Sequence, residues 1–141
     1  MRAYSLLFLR FSTGMLIILW GLVKAMQPSV GTGVANKYYG GVGAVSALQV
    51  PWGMFQVAIG VLVILGLFRR YVYPLQAAIL CIGALAIWKY LLDPFGMYLL
   101  SREDSQLLFF PSLCLAAATL VLIAFRDDDR IALDLRFKKA V

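Results

Sequence analysis

The stretch Leu6–Lys24, LLFLRFSTGMLIILWGLVK, decides the fold of this chain. At 1.5 Å per residue it is long enough to cross most of a hydrocarbon layer about 30 Å thick. Three more apolar stretches of similar length follow, over residues 51–68, 73–92 and 107–125. Backbone groups in lipid must bond to one another, so unbroken apolar runs indicate helices. The sequence predicts an all-α membrane protein with four transmembrane helices.

Composition supports the same class. Of the 141 residues, 62% are hydrophobic and 14% are charged, against roughly 45–50% and about 25% in soluble domains. These values exclude a soluble globular domain and also a disordered chain. The four spans account for most of residues 1–141, which predicts one domain with a tail over 126–141. Short connectors over 69–72 and 93–106 predict an antiparallel bundle.

The basic residues predict the orientation in the membrane. Four spans place the N-terminus, the second connector and the tail on one side, and that side carries nine Lys and Arg residues. The other side carries four, namely Lys24, Lys37, Lys89 and Arg102. The positive-inside rule therefore predicts that both termini are cytoplasmic. Because the basic residues flank spans and form no single patch, no nucleic-acid partner is predicted.

A secretory signal peptide is the alternative interpretation of the first 25 residues, with 11–23 as its apolar core. Three features oppose it: Arg10 lies late, Lys24 occupies the cleavage region, and no A-x-A site follows. The four-span interpretation is favoured. Cleavage near Met26 would contradict it.

One face of the first span combines cations with glycines. At 100° per residue, Arg10, Gly14, Gly21 and Lys24 lie within an arc of roughly 80°. The two cations are about 21 Å apart along the axis. They are either anchors that reach the two membrane surfaces, or the ends of a polar cleft that binds an anion or a ligand carbonyl.

The second span carries a matching face of Gly53, Gln56 and Gly60, which are spaced three and four residues apart. We expect this face to pack against the glycines of the first span, since glycine permits close helix approach. The Gln56 amide can donate and accept hydrogen bonds. It therefore suits either an interhelical hydrogen bond or a bound carbonyl.

The third span ends in Trp88 and Lys89, followed by Asp93. Lys89 and Asp93 are four residues apart and can pair at the surface, where such pairs contribute little. The functional alternative makes Trp88 a flat wall and Lys89 a donor for an aromatic or quinone-like head group. The connector over 25–50 is long and glycine-rich, which predicts an outer lid or a re-entrant segment.

The chain lacks the side chains that bind most redox cofactors. It has no histidine, and its two cysteines, Cys81 and Cys114, are on different spans. This excludes a Ser-His-Asp triad, a His-ligated zinc or haem and a four-Cys cluster. We predict no catalytic residue, no metal site and no covalently held cofactor. The cysteines are predicted to be apolar fillers, with a redox thiol pair as the alternative.

Several short motifs resemble the DoxX family of small four-helix membrane proteins. They are Leu9-Arg10 with Gly14, Trp20-Gly21-Leu22-Val23-Lys24, Trp52-Gly53 with Gln56 and Gly60, Leu65 to Arg70, and Asp129-Arg130 with Ala132-Leu133-Asp134. The family name comes from a membrane subunit of a thiosulfate:quinone oxidoreductase. The resemblance implies the cytoplasmic (inner) membrane of a bacterium and an association with quinone or thiol redox systems. Some members carry Glu where this chain has Gln56, so a proton-handling carboxylate is missing here.

Three classes of function follow from these observations. The favoured one is a quinone-linked subunit whose electrons come from a partner protein, with Arg10, Lys24, Gln56, Trp88 and Lys89 as candidate ligand-binding residues. The first alternative is a non-catalytic scaffold of a larger membrane complex, since glycine faces also suit helix packing and self-association. A small-solute transporter is less favoured, because there is no inverted repeat and no central acidic residue.

Overall fold

The computed structural model describes residues 1–41, 44–104 and 107–140, and its regular structure there is entirely helical. The helices are α1 (Arg2–Met26), α2 (Pro28–Tyr38), α3 (Ser46–Leu65), α4 (Arg69–Ala86), α5 (Trp88–Leu92), a 3-10 turn (Leu107–Phe109), α6 (Pro111–Ala124) and α7 (Leu133–Ala140). This confirms the predicted all-α class.

Three helical segments are long and apolar enough to cross a membrane: Arg2–Met26, Ser46–Leu65 and Leu107–Ala124. The protein covers little of their surface, and in the third only 17% of the span residues are buried. Apolar surface of this extent needs an apolar environment outside the protein. The chain therefore has the length pattern and the surface of a membrane protein.

Helices α1 and α3 form a close antiparallel pair built on glycine. A Cβ placed on Gly60 would lie 2.7 Å from the Gly14 carbonyl oxygen, and one on Gly53 would lie 2.5 Å from that of Gly21. Both distances are below any real Cβ contact, so only glycine permits this approach. The two faces that we expected to pack together are thus in contact along their length.

Helix α4 packs mainly against α6 and differs from the predicted third span. It begins earlier, at Arg69, and ends at Ala86, and the separate short helix α5 follows. The break lies at Ile87, whose N–H bonds to the Ala84 carbonyl in a tighter turn and whose side chain is only 3% exposed. Helix α4 is less apolar than the three segments above, because it begins with two arginines and contains Gln76.

Polar residues concentrate at two opposite ends of the α1–α3 pair. We call the end that holds Arg10, Arg69 and Asp129 the arginine end, and the end that holds Lys24 and Gln56 the lysine end. A hydrophobic cluster that includes Val63, Val72, Tyr73 and Leu122 lies near the arginine end. The described part of the predicted 25–50 connector is largely helical, because α2 spans Pro28–Tyr38 within it. Helix α2 begins at Pro28, and proline suits the first helical turn.

Candidate functional site

The lysine end contains a direct contact between two predicted site residues. The Lys24 ammonium on α1 donates a 3.0 Å hydrogen bond to Oε1 of Gln56 on α3. Gln56 is buried, and Lys24 is half-buried. The ammonium has three N–H donors, and among the described residues it forms no ion pair with a carboxylate. Its contacts in the described part of the chain are therefore with an amide and an aromatic ring.

An indole ring borders this pair. The Lys24 ammonium lies 6.0 Å from the centre of the Trp52 ring, and that ring stacks on Phe55 at 5.5 Å. Trp52 is 43% exposed, so one part of its surface is free for contact with a flat molecule. The arrangement combines a hydrogen-bond donor, an amide and an aromatic face.

Helix α2 covers the lysine end. A Cβ on Gly31 would lie 2.4 Å from Oε1 of Gln49 and 3.2 Å from Cγ of Lys24, so α2 approaches both side chains through glycine. At the other end of α2, Tyr38 makes edge-to-face contacts with Tyr90 and Phe109 at 5.4 and 4.7 Å. These aromatic contacts hold α2 to α5 and to the 3-10 turn.

The arginine end contains a buried ion pair. Nη1 of Arg10 donates to both carboxylate oxygens of Asp129, at 3.0 and 2.9 Å, and Nη2 donates to the Ile131 carbonyl at 2.8 Å. The Tyr73 hydroxyl donates to the same carboxylate at 2.5 Å. Arg10, Tyr73 and Asp129 are each at most 2% exposed. The network ties α1, α4 and the segment after α6 together.

A second arginine and a second aspartate extend this network. Arg69 donates to the carbonyls of Arg126 and Asp129, both at 2.8 Å. The Asp134 carboxylate accepts from the backbone N–H groups of Phe68 and Arg69, at 2.9 and 3.0 Å. The first N–H groups of a helix have no partner within that helix, so Asp134 on α7 caps the start of α4. The C-terminal segment is thereby fixed to the turn between α3 and α4.

Trp88 and Lys89 lie on α5, where both are exposed, and the Lys89 ammonium is 5.8 Å from the Trp88 ring centre. Among the described residues, Asp93 and Lys89 do not form an ion pair. The Asp93 carboxylate is only 1% exposed and accepts four backbone N–H groups at 2.8–3.0 Å, those of Met97, Tyr98, Leu99 and Leu100. Asp93 therefore builds the loop after α5.

Replacing Asp93 by asparagine should disorder this loop at neutral pH, since an amide has one acceptor oxygen in place of two. Burial acts to raise the pKa of the Asp93 carboxyl, but its four backbone hydrogen bonds outweigh that effect and lower the pKa below 3.8. The stabilisation is therefore complete above pH 3.8 and is lost as the pH falls through the folded-state pKa. NMR chemical shifts of the Tyr98 and Leu99 amides measure the order of this loop, both in the variant and as the pH is lowered. Asp104→Asn is the matched control, and wild-type shifts in Asp93→Asn would contradict the assignment.

Of the five residues predicted to bind a ligand, the structure brings Lys24 and Gln56 together. Arg10 lies at the opposite end with a carboxylate partner, while Trp88 and Lys89 contact each other. Sequence reasoning missed the roles of Asp129, Tyr73 and Asp93. Asp93-Pro94-Phe95-Gly96 did carry a signal, because Asp, Pro and Gly at these positions are typical of a type I turn. The Gly96 N–H does bond back to the Asp93 carbonyl at 3.3 Å.

The two cysteines are unpaired, with Cys81 half-buried on α4 and Cys114 exposed on α6. Among the described residues, no three Cys, Asp or Glu side chains are grouped to hold a metal ion. Comparison of the chain with protein-family models, curated proteins and solved structures gives no significant match. The resemblance to the DoxX family stays a prediction, and function must be inferred from the residues themselves.

Proposed function

We propose that this chain is an integral membrane protein that binds the head group of a quinone-like molecule at Lys24 and Gln56. The observation that carries the proposal is the half-buried Lys24 ammonium, which has an amide partner at 3.0 Å and, within residues 1–41, 44–104 and 107–140, no carboxylate in ion-pair contact. A carbonyl oxygen of the ligand would accept from this ammonium. The Trp52 ring, 6.0 Å away, would face the flat ring of the head group.

The proposed topology has four spans, formed by α1, α3, α4 with α5, and the 3-10 turn with α6. Both termini would be cytoplasmic, in the cytoplasmic membrane of a bacterium. The meeting of Arg10, Arg69 and the 129–134 segment at one end supports this orientation, because most of the basic residues then lie on one side. The lysine end would face the other side of the membrane.

Electrons would come from a partner protein in this proposal. The chain has no histidine and only two cysteines, so its own side chains cannot supply the usual haem or four-Cys cluster ligands. The DoxX-like motifs support a redox partner of this kind. The chain would thus act as the membrane subunit that binds the quinone-like molecule.

Binding of a short-chain benzoquinone to the purified protein in detergent tests the site. Wild-type protein should bind saturably, and Lys24→Met and Gln56→Leu should each weaken binding about 10- to 100-fold, since a hydrogen bond to a charged group contributes roughly 1.5–3 kcal/mol. Lys37→Met, at an exposed lysine of α2, is the matched control and should bind as wild type. Equal affinity in all four proteins, or no binding to any, would contradict the proposal.

A scaffold subunit is the second candidate, and the outer face of α4 favours it. Gly83 has no neighbouring atom within 4 Å of a Cβ position, and Ile82 and Leu85 beside it are 65% and 70% exposed. A glycine on an exposed apolar face suits close approach of another membrane helix. Co-purification of a fixed partner that Gly83→Leu abolishes, without quinone binding, would favour this candidate.

A further inference from the structure

Gln76 on α4 is a fully buried side chain whose amide has no partner in the described part of the chain. Its exposed fraction is 0%, and neither Oε1 nor Nε2 forms a hydrogen bond with another group there. Buried amides in native proteins are nearly always hydrogen-bonded, because leaving one unpaired is costly. At 0% exposure, neither bulk water nor a lipid head group reaches this side chain to provide a hydrogen bond.

Arg10 on α1 has an unpaired hydrogen-bond donor that complements the Gln76 amide. Its Nη1 and Nη2 groups donate to Asp129 and Ile131, but its buried Nε–H has no acceptor among the described residues. The Gln76 amide offers an acceptor oxygen, and Arg10 offers a donor. One helix therefore holds an unused donor and the other an unused acceptor.

A shared carboxylate connects Arg10 to the face of α4 that carries Gln76. Arg10 and Tyr73 both bind the Asp129 carboxylate, so the ends of their side chains meet there. Gln76 follows Tyr73 by three residues, on the same face of α4 and about 4.5 Å further along its axis. Thr13, which is 1% exposed, follows Arg10 by three residues on α1. Its hydroxyl donates to the Leu9 carbonyl, so its oxygen can still accept.

We propose that an ordered water molecule binds inside the bundle, between Nε–H of Arg10 and the Gln76 amide. Water fits because it can accept from the guanidinium and donate to Oε1, and a buried water typically makes about three hydrogen bonds. The buried Thr13 hydroxyl, three residues along α1 from Arg10, would be its third partner. The bound water extends the Arg10–Asp129–Tyr73 network one helical turn from the arginine end into the apolar interior. This site is independent of Lys24 and Gln56.

Methionine is similar in volume to glutamine but apolar. The direction in which Gln76→Met shifts the thermal unfolding midpoint therefore shows whether the site holds a water molecule. With a bound water, Gln76→Met removes its main partner and leaves Arg10 Nε–H unsatisfied, so the thermal unfolding midpoint should fall by several degrees. If no water is bound, the same substitution removes an amide that has no hydrogen-bond partner, and the unfolding midpoint should rise. Leu75→Met, on the same helix at a more exposed position, is the control.

Water-to-protein magnetisation transfer at the 15N-labelled Arg10 Nε–H provides the second measurement. We expect transfer in the wild-type protein and its loss in Gln76→Met. Absence of transfer in the wild type would overturn the proposal, even if Gln76→Met failed to fold. A raised unfolding midpoint in Gln76→Met would overturn it as well.

Discussion

Replacing Asp129 by asparagine should lower the free energy of unfolding by about 3–5 kcal/mol, because it leaves the Arg10 guanidinium buried without a counter-charge. Arg10 is 2% exposed and donates to both oxygens of this carboxylate. Tyr73 would also lose its charged acceptor. Thermal or denaturant unfolding in detergent measures the change.

The neighbouring acidic residue provides the control for this prediction. The Asp127 side chain is 97% exposed and only loosely paired with Arg126 at 3.7 Å, so Asp127→Asn should unfold as wild type. The double variant Arg10→Met with Asp129→Leu removes the closest charge pair and should recover only part of the loss, because Tyr73 still lacks its acceptor and Arg69, 3.8 Å from Asp129, still lacks this carboxylate. If Asp129→Asn and Asp127→Asn were equally stable, the ion pair would not hold the arginine end together.

Replacing Gly53 by leucine should separate α1 from α3, and this is the second large effect. Even a Cβ at Gly53 would lie 2.5 Å from the Gly21 carbonyl oxygen and 2.8 Å from the Ala25 nitrogen, both of them backbone atoms that cannot move cheaply. Alanine there should destabilise the protein by about 1–3 kcal/mol, as overpacking does. Spin labels at the exposed positions Leu22 and Met54 should report a larger distance between the helices in Gly53→Leu.

Gly83 provides a matched control of the same residue type. It lies inside α4 with open space around its Cβ position, so Gly83→Leu should keep the wild-type distance between α1 and α3. An unchanged distance in Gly53→Leu as well would mean that glycine does not set the approach of the two helices.

The helix pair was predictable from sequence because its signal is local. Glycines spaced at helical intervals on α1 and α3 define a face within each helix, and two such faces have few other ways to pack in an apolar environment. Lys24 and Gln56 lie on those faces next to Gly21 and Gly53. Their contact therefore follows from the same register.

The arginine end was not predictable from the same kind of signal. Three consecutive aspartates, 127–129, follow the last span, and charge alone does not decide which of them meets Arg10. The choice depends on how the chain turns after Ala124, where α6 ends, and on the position of α4. The burial of Gln76 depends likewise on the packing of α4 against α6, which helical periodicity in one segment does not specify.

Quenching of Trp52 fluorescence by a short-chain benzoquinone tests the central claim most directly. A variant with Trp20→Phe and Trp88→Phe keeps only Trp52, whose ring is 6.0 Å from the Lys24 ammonium. We predict saturable quenching in this protein, with a half-saturating quinone concentration that rises about 10- to 100-fold when Gln56→Leu is added. Quenching that rises linearly without saturation, and equally in a variant that keeps only Trp88, would contradict a ligand site at Lys24 and Gln56.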